Sequence, residues 1–186
     1  MWITNRLPQH NEWRLAVEGG ARKVEERERD LHIRLLRRCV ELSKAAREGG
    51  NTPFGALLAG PDGRILLEQG NIEITESNCT GHAETTLMEA ASKRYSKQQL
   101  WDCTLYTSAE PCAMCAGSIY WGNVGRVVYA ISEKRLAELT GDDEQNPTLD
   151  LPCREVFARG RKPVVVIGPF PEIEAEAVAA HEGYWT

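Results

Sequence analysis

Two short segments constrain this chain more than anything else in it: His82-Ala83-Glu84 and Glu110-Pro111-Cys112-Ala113-Met114-Cys115. Together they supply one imidazole, two thiolates and one spare carboxylate. That donor set suits Zn²⁺, and three protein ligands rather than four leave one tetrahedral position open to water. Glu84, two residues beyond His82, need not bind the metal and is free to move protons. An open metal position beside a carboxylate is a hydrolytic arrangement, not a structural staple.

The chemistry needs these residue types. Zinc lowers the pKa of bound water to about 7. Two thiolates and a neutral imidazole cancel the metal's charge, which limits that effect and gives the carboxylate more of the work. The spacing also suits local structure. His82 to Tyr95 is predicted as a helix with Leu87, Ala90 and Ala91 on one face. Pro111 is predicted as a helix N-terminal residue, with Cys112 and Cys115 in the first turn. Helix starts stabilise negative charge, and so thiolates.

Plainer readings exist for each piece. A lone Cys-x-x-Cys can be structural zinc or a redox pair. A closed zinc site would take Cys79 or Cys153 as fourth ligand, and would leave Glu84 without a role. A thioredoxin-like pair would assign nothing to His-Ala-Glu.

The chain has 186 residues, enough for one domain with a normal core. Its composition is that of an ordinary soluble globular protein. It has no apolar run long enough for a membrane span and no apolar N-terminal signal core, so a cytoplasmic location without membrane contact is expected. Nothing marks the six cysteines as a secreted disulfide framework. Cys39 and Cys103 are expected as buried free thiols. The net charge of −5 argues against a dedicated nucleic-acid binder, though a local basic patch can sit in an acidic total. The Arg- and Glu-rich stretch from Arg22 to Arg38 reads as a solvated helix face laced with ion pairs.

Residues 1–20 read as an irregular arm ending at Gly19-Gly20, and 21–186 as the folded domain. A helix is expected over 21–48, with Leu31, Leu35, Cys39, Leu42 and Ala46 at helical spacing and Gly49-Gly50 as its stop. Phe54 to Ala59, a Gly60-Pro61-Asp62-Gly63 turn and Ile65 to Glu68 read as a hairpin. A loop over 71–81 precedes the His82 helix. Further strands are expected at Thr104 to Thr107, Arg126 to Ile131 and Val164 to Ile167. Further helices are expected at Ala113 to Trp121, Ser132 to Thr140 with Ser132 as cap, and Pro171 to His181. The acidic, polar stretch 141–153 reads as a flexible insertion. Strands alternating with helices after one hairpin give an α/β fold, a three-layer α/β/α sandwich on a mixed sheet.

The His-x-Glu and Pro-Cys-x-x-Cys pattern is the signature of the zinc deaminases. From about Leu31 to Ile167 the chain resembles the cytidine deaminase superfamily, and within it the nucleobase and tRNA-adenosine deaminase branch. The resemblance implies a cytidine deaminase-like fold with a five-stranded mixed sheet. It implies His82, Cys112 and Cys115 as zinc ligands and Glu84 as proton shuttle. It places Asn71 where the family has an asparagine that hydrogen-bonds the substrate ring, and the backbone N–H of Ala83 against a polar edge of that ring. It also points to a homodimer.

Pro53-Phe54-Gly55, Tyr106-Thr107-Ser108 and Ile119-Tyr120-Trp121 are similar to bacterial guanine deaminases. Phe54 and Trp121 are then expected to stack on a flat heterocycle, although either can equally be a core residue. The tRNA enzymes tend to have a basic C-terminal helix, whereas Glu172, Glu174 and Glu176 make this one acidic. The guanine deaminases place an acidic residue shortly after the fourth strand. By spacing the nearest match here is Arg135, with Glu133 and Glu138 close by. The tail Gly183-Tyr184-Trp185 resembles tails that close the site, over their own chain or a partner's.

The expectation is therefore a zinc-dependent hydrolytic deaminase of a free aminated nucleobase or nucleoside, guanine-like first, yielding a carbonyl product and ammonia. The alternatives are a tRNA adenosine-to-inosine deaminase, which needs a positive groove for phosphates, and a non-catalytic zinc-scaffold subunit of a deaminase complex. Glu84 speaks against the last, because inactive members of the family commonly lose that carboxylate.

Overall fold

The computed structural model describes residues 10–141, 143, 146 and 148–185, with side chains from Lys23 onward. The elements are α1 (His10–Glu48), β1 (Gly55–Ala59), β2 (Ile65–Gly70), α2 (Ala83–Arg94), α3 (Lys97–Trp101), β3 (Thr104–Ala109), α4 (Ala113–Gly122), β4 (Arg126–Ile131), α5 (Glu133–Thr140), α6 (Cys153–Ala158), β5 (Val165–Ile167) and α7 (Pro171–His181). The chain divides after His32 into two units. The first contains the leading part of α1. The second, Ile33–Thr186, holds the remaining elements and is the body described below.

The helix expected from residue 21 begins at His10. The expected irregular arm is therefore helical over 10–20, and residues 1–9 lie outside the described residues. Gly19-Gly20 weakens helix propensity by about 1 kcal/mol per glycine but does not forbid helical backbone. Among the described residues no helix is long and apolar enough to cross a membrane.

Five strands form one mixed sheet in the order β2-β1-β3-β4-β5. β1 pairs antiparallel with both β2 and β3, while β3–β4 and β4–β5 are parallel. Successive strand residues point to opposite faces, and helices cover both. Ala56 and Leu58 of β1 join Leu87 and Met88 of α2, Ile119 of α4 and Phe157 of α6 in one apolar cluster. On the other face lie α7 and the 33–48 part of α1, joined by Arg37 to Glu176 at 2.9 Å. Gly55 lets α1 approach the sheet: a Cβ there would stand 2.5 Å from the Cys39 carbonyl oxygen and 2.6 Å from the Ser43 nitrogen. The architecture is the expected three-layer sandwich.

Three local differences have physical causes. Lys97–Trp101, not expected from the sequence, is a helix closed by a capping box between Ser96 and Gln99. The stretch 141–153 is not a simple surface insertion. Asp142, Glu144, Gln145 and Pro147 lie outside the described residues, but Asp143 is buried and Cys153 starts α6. The α6 N-cap residue, Pro152, has no capping side chain, so no local signal announces that helix. Cys39 and Cys103 are buried free thiols as expected.

Candidate active site

The site forms where two helix starts meet beyond the carboxyl end of β3. His82 is the N-cap of α2 and Cys112 the N-cap of α4; both have extended backbone, and neither side chain caps its own helix. Pro111 thus precedes α4 rather than entering it. Both side chains are therefore free to face each other, with Cys115 joining from the first turn of α4. His82 Nδ1 lies 3.7 Å from Cys112 Sγ and 3.6 Å from Cys115 Sγ.

These separations can be tested against a metal. Tetrahedral zinc with Zn–N near 2.05 Å and Zn–S near 2.3 Å would put nitrogen and sulfur about 3.6 Å apart. The residues present therefore fit zinc without rearrangement. His82, Cys112 and Cys115 are the group of metal-binding side chains found among the described residues, with ligand atoms within 4.8 Å of one another. Cys79 is exposed, and Cys153 is buried at the start of α6. Neither joins the group. His82 Nε2 points to Glu73, 3.9 Å away, which leaves Nδ1 facing the thiols. Carboxylates behind a ligating histidine commonly orient it this way.

The three ligand groups shift one another's proton affinities, and zinc binding would displace the protons that His82 and Cys115 hold. The Cys115 thiol, and after it His82, hold the Cys112 thiol down to about 4 against its own burial. Cys112 in turn raises His82 to about 9. Cys115 is pushed well up by its hydrogen bond to Cys112 and by burial.

Glu84 sits two residues into this assembly and is buried. Thr107 of β3 donates a 2.6 Å hydrogen bond to its Oε1, and Cys115 Sγ lies 3.4 Å from Oε2. Burial raises its pKa, and the Thr107 hydroxyl opposes that rise. The sequence marked Thr107 only as part of the Tyr106-Thr107-Ser108 resemblance; its bond to Glu84 comes from the fold.

Glu84, His82, Cys112 and Cys115 line a cavity with Thr52, Phe54, Glu73, Ala109, Glu110, Glu133, Leu136 and Asn146. Four of these are glutamates, and no lysine or arginine is among them. Glu133 is 7% exposed. Burial, then the Cys112 thiolate and the carboxylates of Glu110 and Glu84, push it up to about 7. Arg135 does not face the site. Its guanidinium reaches outward to Glu138 at 2.8 Å and Glu174 at 3.0 Å. Two residues along a helix turn a side chain by roughly 200°, so Glu133 rather than Arg135 supplies the charge at this wall.

The other expected substrate residues divide. Phe54 lines the cavity. Asn71 is buried and is not among the cavity-lining residues: its N–H donates to the Phe54 carbonyl, its Oδ1 accepts the Glu73 N–H, and its Nδ2 has no partner among the described residues. The Oγ1 of Thr52 is orphaned in the same way. Unpaired buried donors are costly, and a bound ligand is one way to satisfy them. Ala83 is the first residue of α2, where backbone N–H groups have no helical acceptor. Trp121 is not at the site. It is 74% exposed near the end of α4 and packs edge-on against Tyr120. It stands two residues past buried Ile119 and so faces away. The tail, by contrast, docks on its own chain. Trp185 Nε1 donates to His181 Nδ1, and Trp185 and His181 pack on Phe54.

Residues 29–131, more than half of the chain, match the family model for the cytidine and deoxycytidylate deaminase zinc-binding region. A Schizosaccharomyces pombe protein named probable cytosine deaminase is 35% identical over 150 residues, 81% of this chain and 90% of that protein. The guanine deaminase of Bacillus subtilis is 42% identical over 113 residues, 60% of this chain and 72% of the relative. A solved structure in complex with 2,6-diaminopurine superposes with a TM-score of 0.66 at 26% identity, covering 81% of this chain and 79% of that one. The family model and the two named deaminases agree with the convergent helix starts: this chain belongs to the cytidine and deoxycytidylate deaminase family and is a zinc-dependent deaminase.

Proposed function

We propose that the substrate is a free aminated nucleobase or its nucleoside, guanine-like first, converted to the carbonyl product with release of ammonia. One observation carries this: Glu84, the His82, Cys112 and Cys115 cluster and the buried carboxyl of Glu133 line one acidic cavity. Guanine offers N–H donors on the edge that Glu133 would read.

His82, Cys112 and Cys115 would hold the zinc, which would supply Lewis acidity to the reaction. The chain's residues do the rest. Thr107 fixes Oε1 of Glu84, and the carboxylate takes one proton from the added water to a ring nitrogen and later the second to the departing amine. Asn71 Nδ2 and the Ala83 N–H donate to acceptors on the ring. Phe54, backed by Trp185 and His181, closes over its face. A water is added and ammonia leaves, so the ring carbon exchanges nitrogen for oxygen without oxidation.

Cytosine is the second reading. The fission-yeast relative favours it, because that match spans more of both chains than the guanine deaminase match does. A tRNA substrate fits less well, since no cation lines the cavity among the described residues. We carry the expected homodimer in the cytoplasm into this reading.

The test is ammonia release by zinc-loaded protein across guanine, guanosine, cytosine, cytidine, adenine, adenosine and an anticodon stem-loop RNA. Glu84→Gln serves as the blank. It is expected to keep its zinc and lose turnover by about 10³-fold or more, as removal of a proton shuttle does. Turnover on a free base supports the proposal, and turnover on the RNA alone overturns it. A Glu84→Gln variant at the wild-type rate would remove the shuttle assignment.

A further inference from the structure

The segment 133–152 leaves the sheet after β4, supplies Glu133, Leu136 and Asn146 to the cavity wall, and returns at α6. Both of its ends meet one side chain. Glu110 lies just past the end of β3. Its own N–H is bonded to the Ile131 carbonyl at 2.8 Å, so the sheet fixes its backbone. Its side chain is 6% exposed. Oε2 accepts the N–H of Glu133, the first residue of α5, at 3.1 Å. Oε1 accepts the N–H of Cys153, the first residue of α6, at 3.0 Å.

The first N–H groups of a helix have no partner within it and favour a negative charge. α5 has a local cap as well, because Ser132 Oγ accepts the Arg135 N–H at 3.1 Å. α6 has none, and its N-cap is Pro152. Glu110 therefore does for two helices what cap residues do for one, and it does so from a third element.

We propose that Glu110 is a positioning residue for substrate: its carboxylate pins both ends of the 133–152 excursion and so sets where Glu133 and Asn146 stand in the cavity. This rests on the reading of the cavity as the base-binding site. A carboxylate suits the task because it has acceptors on both oxygens. The amide of glutamine would turn a donor toward one of the two N–H groups.

The experiment compares Glu110→Gln with Ser132→Ala, both zinc-loaded. Ser132→Ala removes the local cap of α5 but leaves the pin. Zinc content, kcat and KM on the free base best used by the wild type, and amide hydrogen exchange over 133–158 are measured. Glu110→Gln is expected to keep its zinc and raise KM about tenfold or more, since misplacing a binding group by about 1 Å is costly. Its kcat should change by less than about threefold, the loss falling mainly on binding. Exchange should accelerate at both Glu133 and Cys153. Ser132→Ala should change KM by less than about twofold and accelerate exchange in α5 alone. Unchanged KM in Glu110→Gln, or KM changes that follow lost thermal stability equally in both variants, would overturn the proposal. A wild type without turnover on any base would overturn the proposed function instead. The exchange data alone would then decide the pin: faster exchange at both ends supports it, and wild-type exchange removes it.

Discussion

Acid should loosen the C-terminal tail through one buried histidine. His181, the last residue of α7, is 2% exposed. Its Nδ1 accepts the Trp185 indole N–H at 3.1 Å, so the neutral ring carries its proton on Nε2. Its ring stacks on Trp185 and meets Phe54 edge-on at 5.3 Å. Burial, and after it the Arg47 guanidinium, lower its pKa from 6.5 to about 4. Arg47 is held nearby by the Ala180 and Glu182 carbonyls. A lowered histidine pKa means that the unfolded chain binds the proton more readily than the folded one. The stabilisation is complete above pH 6.5 and is lost as pH falls toward 4. Between pH 7.5 and pH 5 the two pKa values give a loss of about 2 kcal/mol from this residue.

Other groups titrate over the same range, so the measurement is a difference. Urea unfolding of the wild type and of His181→Gln, at pH 7.5 and pH 5, isolates the histidine. The stability advantage of the wild type over the variant should shrink by about 2 kcal/mol on acidification. Protonation of the folded protein removes the acceptor that holds Trp185, so wild-type tryptophan fluorescence should shift only as the pH falls toward 4, below the range of the urea experiment. Identical pH dependence in both proteins would refute the reasoning.

Two further outcomes are expected. Cys112→Ala should lose zinc and stability together, because folding and ligand assembly are linked; full zinc by metal analysis would defeat the ligand assignment. Gly55→Ala should destabilise by about 2–4 kcal/mol in urea unfolding, since its Cβ would meet backbone atoms of α1 at 2.5 and 2.6 Å; an unchanged midpoint would show that α1 can retreat from the sheet.

The metal cluster and Glu84 were legible in the sequence because their spacing is local. His82 and Glu84 span one helix start, and Cys112 and Cys115 span another. The strands and the long helices were legible for the same reason, through apolar periodicity and a cap at Ser132 that holds in the structure. α6 was not, because its first N–H is met by a residue far back in the chain. Nor was the orientation of α5, where Arg135 matched by spacing but Glu133 faces the cavity. Trp121 shows the same limit: its chemistry suited stacking, but the phase of α4 turns it outward.

The sequence by itself determined the reaction class, since few combinations of one histidine, two cysteines and a free carboxylate suit anything but an open zinc site. Only the tertiary structure decided which carboxylates line the cavity, where the tail lies, and that one glutamate holds two helix starts. Those depend on contacts between residues distant in the chain. Helical and strand periods record which face of an element is buried, but not what stands opposite it.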